Sequence, residues 1–563
     1  MSSRMNGPVT LRSLFLLLLI AAVVPAAFAS GPYKIGSSNT VTADPTIPRP
    51  NTTPCVVQLM TNAEFDNFNP VSFPYTPPAN CPGPWAKVVF TADINVTAGI
   101  QYDRTANFWL GGNVIYFGTT AEPSPNLGPS WHVESDLTDY SPLFMTAQQG
   151  TADIGNLVNT TYTGIIYASA ALEFYPLAPY QAAPVTANLV LPLSAGSTGG
   201  TVSLGSTTST LAATFSLPTN IQNAYLDIYS QSQSNDEFWY TCVPNDVSSE
   251  LESCGNTGFR ETEVTIDGAP AGVAPVSPWI YTGGIDPWLW YPIPGIQTLN
   301  LIPYRVDLTP FAGLLSNGQQ HTVSISVYNA DSYFSDTANL LLYLDSGLTQ
   351  VTGGILKNSL AAAPNPVVKE NLNVTSSAIT GGVDVASNRN FTISGYVNTS
   401  HGVITTTISQ KINFANNQSF NINDTQYVQN INVISGVNST TTVAWSSQPT
   451  ITKIDNWSFP LMLDINEFVL SNGGIDQTTK ARQTYNVQQT TENNGVLTFV
   501  GLLTNSGYHQ DTLEFDSSGN LIGNIDQSSS QTYNEVNEPG PVYFCDINAV
   551  NNVLTSFSKT CSQ

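Results

Sequence analysis

Charge is scarce in this chain, and positive charge scarcest of all. Only 10% of its 563 residues are charged, against about 25% in an average soluble protein, so Ser, Thr, Asn and Gln must carry the solvated surface. Lys and Arg together number 16 against 40 Asp and Glu, for a net charge of −24. No basic patch is large enough to release counterions from a phosphate backbone, which excludes nucleic acid as a partner. The uncompensated carboxylates repel one another near neutrality and are relieved by protonation, which points to an acidic working environment. Histidine is nearly absent as well: His132, His321, His401 and His509 stand apart from one another, and no Cys-x-x-Cys or His-x-x-x-His spacing occurs. No metal and no cofactor is therefore expected. A phosphate loop, a Gly-x-Ser-x-Gly elbow and a Ser-His-Asp set are missing too.

Long apolar runs are confined to the N-terminus. Residues 14–24 form one, preceded by Arg4 and Arg12 and followed by Ala27-Phe28-Ala29, the order of a secretory signal peptide. The expectation is a signal over 1–29, a secreted or periplasmic protein, and no membrane span after its removal. Six cysteines, an even number, fit an oxidising compartment, and the pairs nearest in sequence are Cys55 with Cys81, Cys242 with Cys254, and Cys545 with Cys561.

What the chain has in quantity is short apolar runs bounded by Gly, Pro and Asn, without a sustained helical stripe. The spacing predicts an all-β protein: two jelly-roll sandwiches in tandem with an additional C-terminal β region. Residues 30–54, rich in Pro, Thr and Asn, read as an N-terminal arm. The first jelly roll is expected over 55–187, the second over 188–350 and the C-terminal region over 351–563. Two long loops in the second, 231–258 and 268–303, have the length that marks functional loops in compact β domains.

The stretch Tyr102-Asp103-Arg104-Thr105-Ala106-Asn107-Phe108-Trp109 alternates like a strand but opens on a carboxylate and a guanidinium, which strands disfavour. Period two places Asp103, Thr105, Asn107 and Trp109 on the face opposite Ala106 and Phe108, so Asp103 is expected to face outward. Either it meets a ligand, or Asp103 and Arg104 form an ordinary strand-end pair of small energetic weight. Asn235-Asp236-Glu237-Phe238-Trp239-Tyr240 puts acids and large rings at a strand end. That combination suits a sugar, whose apolar face stacks on a ring while carboxylates accept its hydroxyls; an aromatic plug with solvated acids is the structural alternative. In Phe259-Arg260-Glu261-Thr262-Glu263, the two glutamates share a strand face that is ordinarily solvated, whereas Arg260 suits binding of carboxylates or polarised oxygens. Trp288 and Trp290 either wall a sugar site or cover a sheet edge.

Taken in order, Cys81-Pro82-Gly83-Pro84-Trp85, the Tyr102 to Gly112 strand, Thr120-Ala121-Glu122-Pro123, the Asn235 to Tyr240 loop and Tyr281-Thr282-Gly283-Gly284-Ile285 resemble the peptide N-glycanase A family. The resemblance runs from about Cys55 to Asp345 and more weakly beyond. It implies a secreted, metal-independent amidase that cleaves the bond between the innermost N-acetylglucosamine and asparagine, leaving aspartate and releasing a glycosylamine. An N-glycoprotein or N-glycopeptide is then the substrate, acted on by a monomer. The distantly related flavobacterial-type enzyme carries its catalytic aspartate in a Trp-Asp-Arg-Tyr-Ala-Asn stretch similar to Tyr102 to Asn107, which maps it onto Asp103. Its second acid precedes a Cys-Phe-Arg that resembles Gly258-Phe259-Arg260, but the equivalent spacing here falls on Asn256. Glu237 is the substitute, with Glu261 behind it, and a third acid of that relative is replaced near Asn159.

In this reading Asp103 orients or deprotonates water and cationic or amide donors stabilise the oxyanion; either Arg104 lowers the pKa of Asp103 by its charge or Arg260 sits near the oxyanion. Glu122, Trp239, Trp288 and Trp290 complete the expected substrate-binding set. Two other functions share these residues. A glycoside hydrolase would use Asp103 and Glu237 as its carboxylate pair, and a jelly-roll lectin or adhesin would bind sugar without turnover.

Overall fold

A computed structural model describes residues 33–446 and 448–561; the expected signal peptide lies outside the described residues. Among these there are 29 strands and the sole α-helix is the four-residue Ala312–Leu315, so the chain is nearly all β. No helix among the described residues is long and apolar enough to cross a membrane.

Residues 55–176 build two four-stranded antiparallel sheets. One contains Trp85–Val96 and Ile166–Pro176; the other contains Thr105–Leu110 between Asn113–Thr119 and Gln148–Ile154. Their facing side chains, among them Phe90, Phe108, Tyr116 and Phe174, form one core. Residues 189–344 build two further sheets, with Ile221–Gln233 beside Tyr333–Leu344 and Glu261–Ile266 beside Gln320–Tyr328. Beyond residue 351 a twelve-stranded antiparallel sheet takes over, with two neighbouring strands of 22 residues, Ala378–Thr399 and Gly402–Asn423. Along Gly402–Asn423 buried and exposed positions largely alternate, with Ile404, Ile408, Ile412, Phe414 and Phe420 inward beside the buried Asn416 and Gln418, and Ser409, Asn413, Asn417, Ser419 and Asn421 outward, which is how a chain with few charges solvates a large sheet.

Three contacts lock these units together. The core of the second sheet pair is continuous with the long sheet through Phe391, Phe414, Val433 and Leu461. A smaller cluster takes Trp109 and Phe117 from the first pair, Tyr229, Trp279 and Tyr281 from the second, and Phe459 from the long sheet. Each such ring is worth about 1.5–3 kcal/mol of burial. The arm also crosses between units: the Ala43 N–H donates to Gln531 at 2.7 Å, and Arg49 pairs with Glu134 and Glu173.

The outward face assigned to Asp103 needs correcting here. The strand begins only at Thr105, and Asn107 and Trp109, expected to face solvent, are 5% and 1% exposed because the second sheet pair packs on them. Two of the three expected disulfides form, Cys242–Cys254 and Cys545–Cys561. Cys55 and Cys81 remain thiols. They face each other, and burial with the neighbouring Cys55 raises the Cys81 thiol to about 11.

Several carboxyls are buried between the units. Burial, then the neighbouring Glu261, raises Glu263 to about 9; burial, then Asp286, raises Asp511 to about 8; burial alone is the raising cause that takes Asp336 to about 8. Each holds a proton in the folded chain that the unfolded chain releases above about pH 4. The folded state therefore binds more protons than the unfolded, and stability falls as pH rises through the folded values. His509 opposes this, since burial lowers it to about 3, but its penalty develops only below about pH 6.5 and involves one group. The melting temperature is expected to be at least about 5 °C lower at pH 9 than at pH 5. Calorimetric scans across that range test it, and a flat profile would contradict the account.

Candidate active site

The hairpin that carries Asp103 also delivers its closest partner. Thr105–Leu110 and Asn113–Thr119 turn through Gly111 and Gly112, both with positive φ (56° and 83°), as Gly tolerates. Thr105 lies opposite Thr119, and the pairing continues outward: Thr120 N–H donates to the Arg104 carbonyl at 2.9 Å, and Arg104 N–H to Thr120 Oγ1 at 2.8 Å. Two residues on, Glu122 arrives beside Asp103 and accepts its backbone N–H at 3.1 Å.

The expected 268–303 loop begins with a strand, Ala269–Pro275, and only its remainder, residues 276–303, is a loop, which closes over this pair. Thr282 Oγ1 donates to the Thr120 carbonyl at 2.7 Å, Tyr281 Oη to the Ser232 carbonyl at 3.0 Å and Tyr291 Oη to the Glu122 carbonyl at 2.9 Å. These bonds press Gly283 onto the carboxyls: a Cβ there would collide with both Glu122 Oε1 and Asp103 Oδ1. Glu237, reached from the strand Ile221–Gln233 through a short turn, is close enough for its charge and that of Asp103 to interact. Asp103 and Glu122 thus lie in contact where the two sheet pairs join, with Glu237 near enough to feel the charge of Asp103.

Burial raises all three. Asp103, partly exposed, rises to about 6, held back by the Glu122 side chain, the Arg104 charge and the Gly283 N–H. Glu122, 7% exposed, rises to about 8 through burial and then the Asp103 charge. Glu237 rises to about 8 for the same two reasons in the same order. The direction at Asp103 corrects the expectation of a lowered pKa. Arg104 does favour the ionised form, but desolvation outweighs it. The Arg104 guanidinium donates to Gln101 Oε1 at 2.6 Å and lies over the Tyr102 ring. Between about pH 6 and 8 the site holds one ionised carboxylate, Asp103, beside two neutral acids, the division of labour that base and acid steps require.

Four other expected site residues are not free to act. Trp239 is fully buried and packs on Phe414 of the long sheet. Trp290, 3% exposed, donates Nε1–H to the Gly284 carbonyl and lies against His509. Arg260, 2% exposed, pairs with the buried Asp236 and donates to the Thr257 and Phe259 carbonyls. Glu261 lies beneath Arg389 of the long sheet, as does Glu263, so their strand face is buried rather than solvated. Trp288, on the closing loop, keeps an exposed ring. Asn256 donates its side-chain N–H to the Asn329 carbonyl, and Asn159 accepts the backbone N–H groups of Thr161 and Tyr162, so both shape loops. The Asn159 turn presents the half-buried Tyr162 to the exposed Tyr102, ring centroids 5.2 Å apart, an aromatic pair next to Asp103 that periodicity did not single out. Among the described residues no group of three or more His, Cys, Asp or Glu could hold a metal ion.

The profile of the family described as "Peptide N-acetyl-beta-D-glucosaminyl asparaginase amidase A" matches residues 44–360. This chain belongs to that family. It is 32% identical over 388 residues to the peptide-N4-(N-acetyl-beta-glucosaminyl)asparagine amidase A of Prunus dulcis, covering 65% of this chain and 67% of that one. Among solved structures, PNGF-II gives a TM-score of 0.35 at 13% identity over 52% of this chain and 66% of its own. PNGase F of Flavobacterium meningosepticum, titled a glycosylasparaginase, gives 0.35 at 15% identity over 52% of this chain and 97% of its own. Superposition at that level is too loose to carry residues across. Within the family's matched span lie Asp103, Glu122, Glu237 and Gly283, which makes the crowded glycine a sharp probe. Gly283→Ala is expected to displace both carboxyls and cost about 10²-fold in turnover with the fold retained. An alanine variant of unchanged activity would show that the close approach has no catalytic meaning.

Proposed function

We propose that this protein is a glycoamidase that hydrolyses the amide between N-acetylglucosamine and asparagine in N-glycoproteins or N-glycopeptides. The observation that carries the proposal is the pair Asp103 and Glu122 pressed together under Gly283, with Glu237 within range of the Asp103 charge, in a chain of the peptide N-glycanase A family. Asp103, the strongest acid of the three, takes a proton from water as the hydroxyl oxygen adds to the side-chain carbonyl carbon of the glycosylated asparagine. The carbon–nitrogen bond then breaks and the leaving nitrogen takes a proton from Glu237. The products are aspartate in the peptide and a glycosylamine, which later loses ammonia. Glu122 stays neutral beside Asp103 and keeps the negative charge on the base. Tyr102 and Trp288 offer exposed rings for the sugar, and Arg104 positions Tyr102 and Gln101.

The reading includes an architecture and a location. The paired sheets of 55–187 and 188–350 are two jelly rolls with the site at their junction, and 351–563 is a third unit that braces them. The mature protein starts near Ser30, acts outside the cytoplasm and is monomeric. The two disulfides and the low content of charged residues agree with secretion.

Mass analysis of a defined N-glycopeptide after incubation tests the reaction. Conversion of the glycosylated Asn to Asp with release of the whole glycan is expected. A sugar left on an unchanged Asn would assign a glycoside hydrolase instead, and binding without turnover a lectin.

A further inference from the structure

A cleft of about 670 Å³ runs between the second sheet pair and the long C-terminal sheet, away from the three carboxyls. Its floor is the face of four adjacent strands. Their register sets Gln410 opposite Ser439, Ser439 opposite Asp455 and Asp455 opposite Gln489, so one unbroken row of polar side chains crosses the floor. All four line the cleft, and the row spans about 14 Å at the usual strand spacing. Gln410 Nε2 donates to Ser439 Oγ at 3.2 Å.

Aromatic rings flank that row. Trp457 follows Asp455 on the same strand face, with Tyr485 on the neighbouring strand and Tyr304 on the opposite wall. Tyr304 and Tyr485 each meet Trp457 edge-on, at 5.8 Å and 6.3 Å, and all three are only half-buried, as is Trp445 at the cleft's end. The cleft holds no cluster of like charges free for an ionic ligand. Arg305 is committed to Asp227 and Asp139 on its own side, and Lys453 interacts with both Asp307 and Asp455, the two acids that line the cleft. Asp455 is held raised by burial, with Gln489 as its hydrogen-bonding neighbour.

We propose that this cleft is a second binding site for a neutral oligosaccharide, with Trp457 and its neighbouring rings stacking on pyranose faces and the Gln410–Ser439–Asp455–Gln489 row bonding hydroxyls. The ladder of amide, hydroxyl and carboxylate groups supplies donors and acceptors at regular spacing, and the rings supply the apolar planes that a sugar presents between its hydroxyls. A phosphate or a polyamine finds neither a free cluster of cations nor one of anions there. The sugar comes either from the outer arms of the glycan being released or from a separate glycan; the first source rests on the amidase reading, and the binding itself does not.

The test uses the full chain and a reduced, desialylated biantennary oligosaccharide as probe, with calorimetric titration of wild type, Trp457→Ala and the double variant Asp455→Ala/Gln489→Ala. Affinity is expected to fall at least tenfold in both variants. Because Trp457 also packs on the cluster that joins the three units, the double variant decides if Trp457→Ala fails to fold. Unchanged affinity in a folded double variant, or no binding by wild type, overturns the proposal whatever the amidase activity proves to be. Kinetics distinguish the sources. A KM raised for a biantennary glycopeptide but not for one carrying only two core N-acetylglucosamines assigns the outer arms; lost oligosaccharide binding with both KM values unchanged assigns a separate glycan.

Discussion

Asp103→Asn is expected to lower turnover on an N-glycopeptide by about 10² to 10⁴-fold, the cost of losing a general base, while the protein melts no lower than wild type. The amide has the shape of the carboxylate but cannot take a proton from water. Stability should hold because Asp103 is partly exposed and makes no close ion pair with Arg104, whose guanidinium is directed to Gln101 and Tyr102. The neutral side chain also removes the charge that helps to raise Glu122 and Glu237, so folding is spared a repulsion between buried acids. A structural Asp103 predicts the reverse, a lower melting temperature with activity retained in the folded fraction. Measuring turnover and melting on one preparation separates the two, and near wild-type conversion of glycosylated Asn to Asp by a folded variant would remove Asp103 as the base.

The second large effect concerns stability alone. Arg389, 6% exposed, reaches from the long sheet to Glu261 and Glu263, with Nη1 at 2.6 Å from an oxygen of each, and its Nη2 donates to the Ala361 carbonyl. Arg389→Met leaves two adjacent buried carboxyls without their cation, and removing one partner of a buried ion pair costs about 3–5 kcal/mol. Glu263 is already raised to about 9 with the guanidinium present, and without it that carboxyl holds its proton still more tightly. The folded variant therefore binds more protons than the unfolded chain over a wider range, and its deficit relative to wild type should be larger at pH 8 than at pH 5. Denaturant titrations at the two pH values check this. Replacing both glutamates by glutamine in the same variant should restore much of the loss, since neutral partners no longer demand a cation. Equal midpoints for wild type and Arg389→Met at pH 8 would show that the triad does not hold the units together.

What could be read from the chain alone was local. Period-two alternation along Ile166–Pro176 or Gly402–Asn423 forces each side chain to one face or the other, so strands, and with them the nearly all-β fold, follow from neighbours in sequence. The pairing of Cys242 with Cys254, separated by 12 positions, is local in the same sense. The motif around Asp103 and the order of the five motifs pointed to the family by resemblance, before any contact was known. Glu122 was legible as well, through the Thr120-Ala121-Glu122-Pro123 motif, though as a substrate-binding residue and not as the acid beside Asp103.

Other assignments depended on residues far apart in the chain. Trp239, Trp290 and Glu261 look like surface groups while only the second sheet pair is considered; Phe414, His509 and Arg389 of the long sheet bury them. Asp103 has a cation as its neighbour in sequence, which argues for a lowered pKa, whereas the loop around Gly283 strips water from it and raises the pKa instead. Alternation fixes which side chains share a face. Whether that face meets water or another sheet, and hence whether a carboxylate is a solvated charge or a proton-holding acid, is decided only when the units pack, because desolvation depends on everything that surrounds the group and not on its place in the chain.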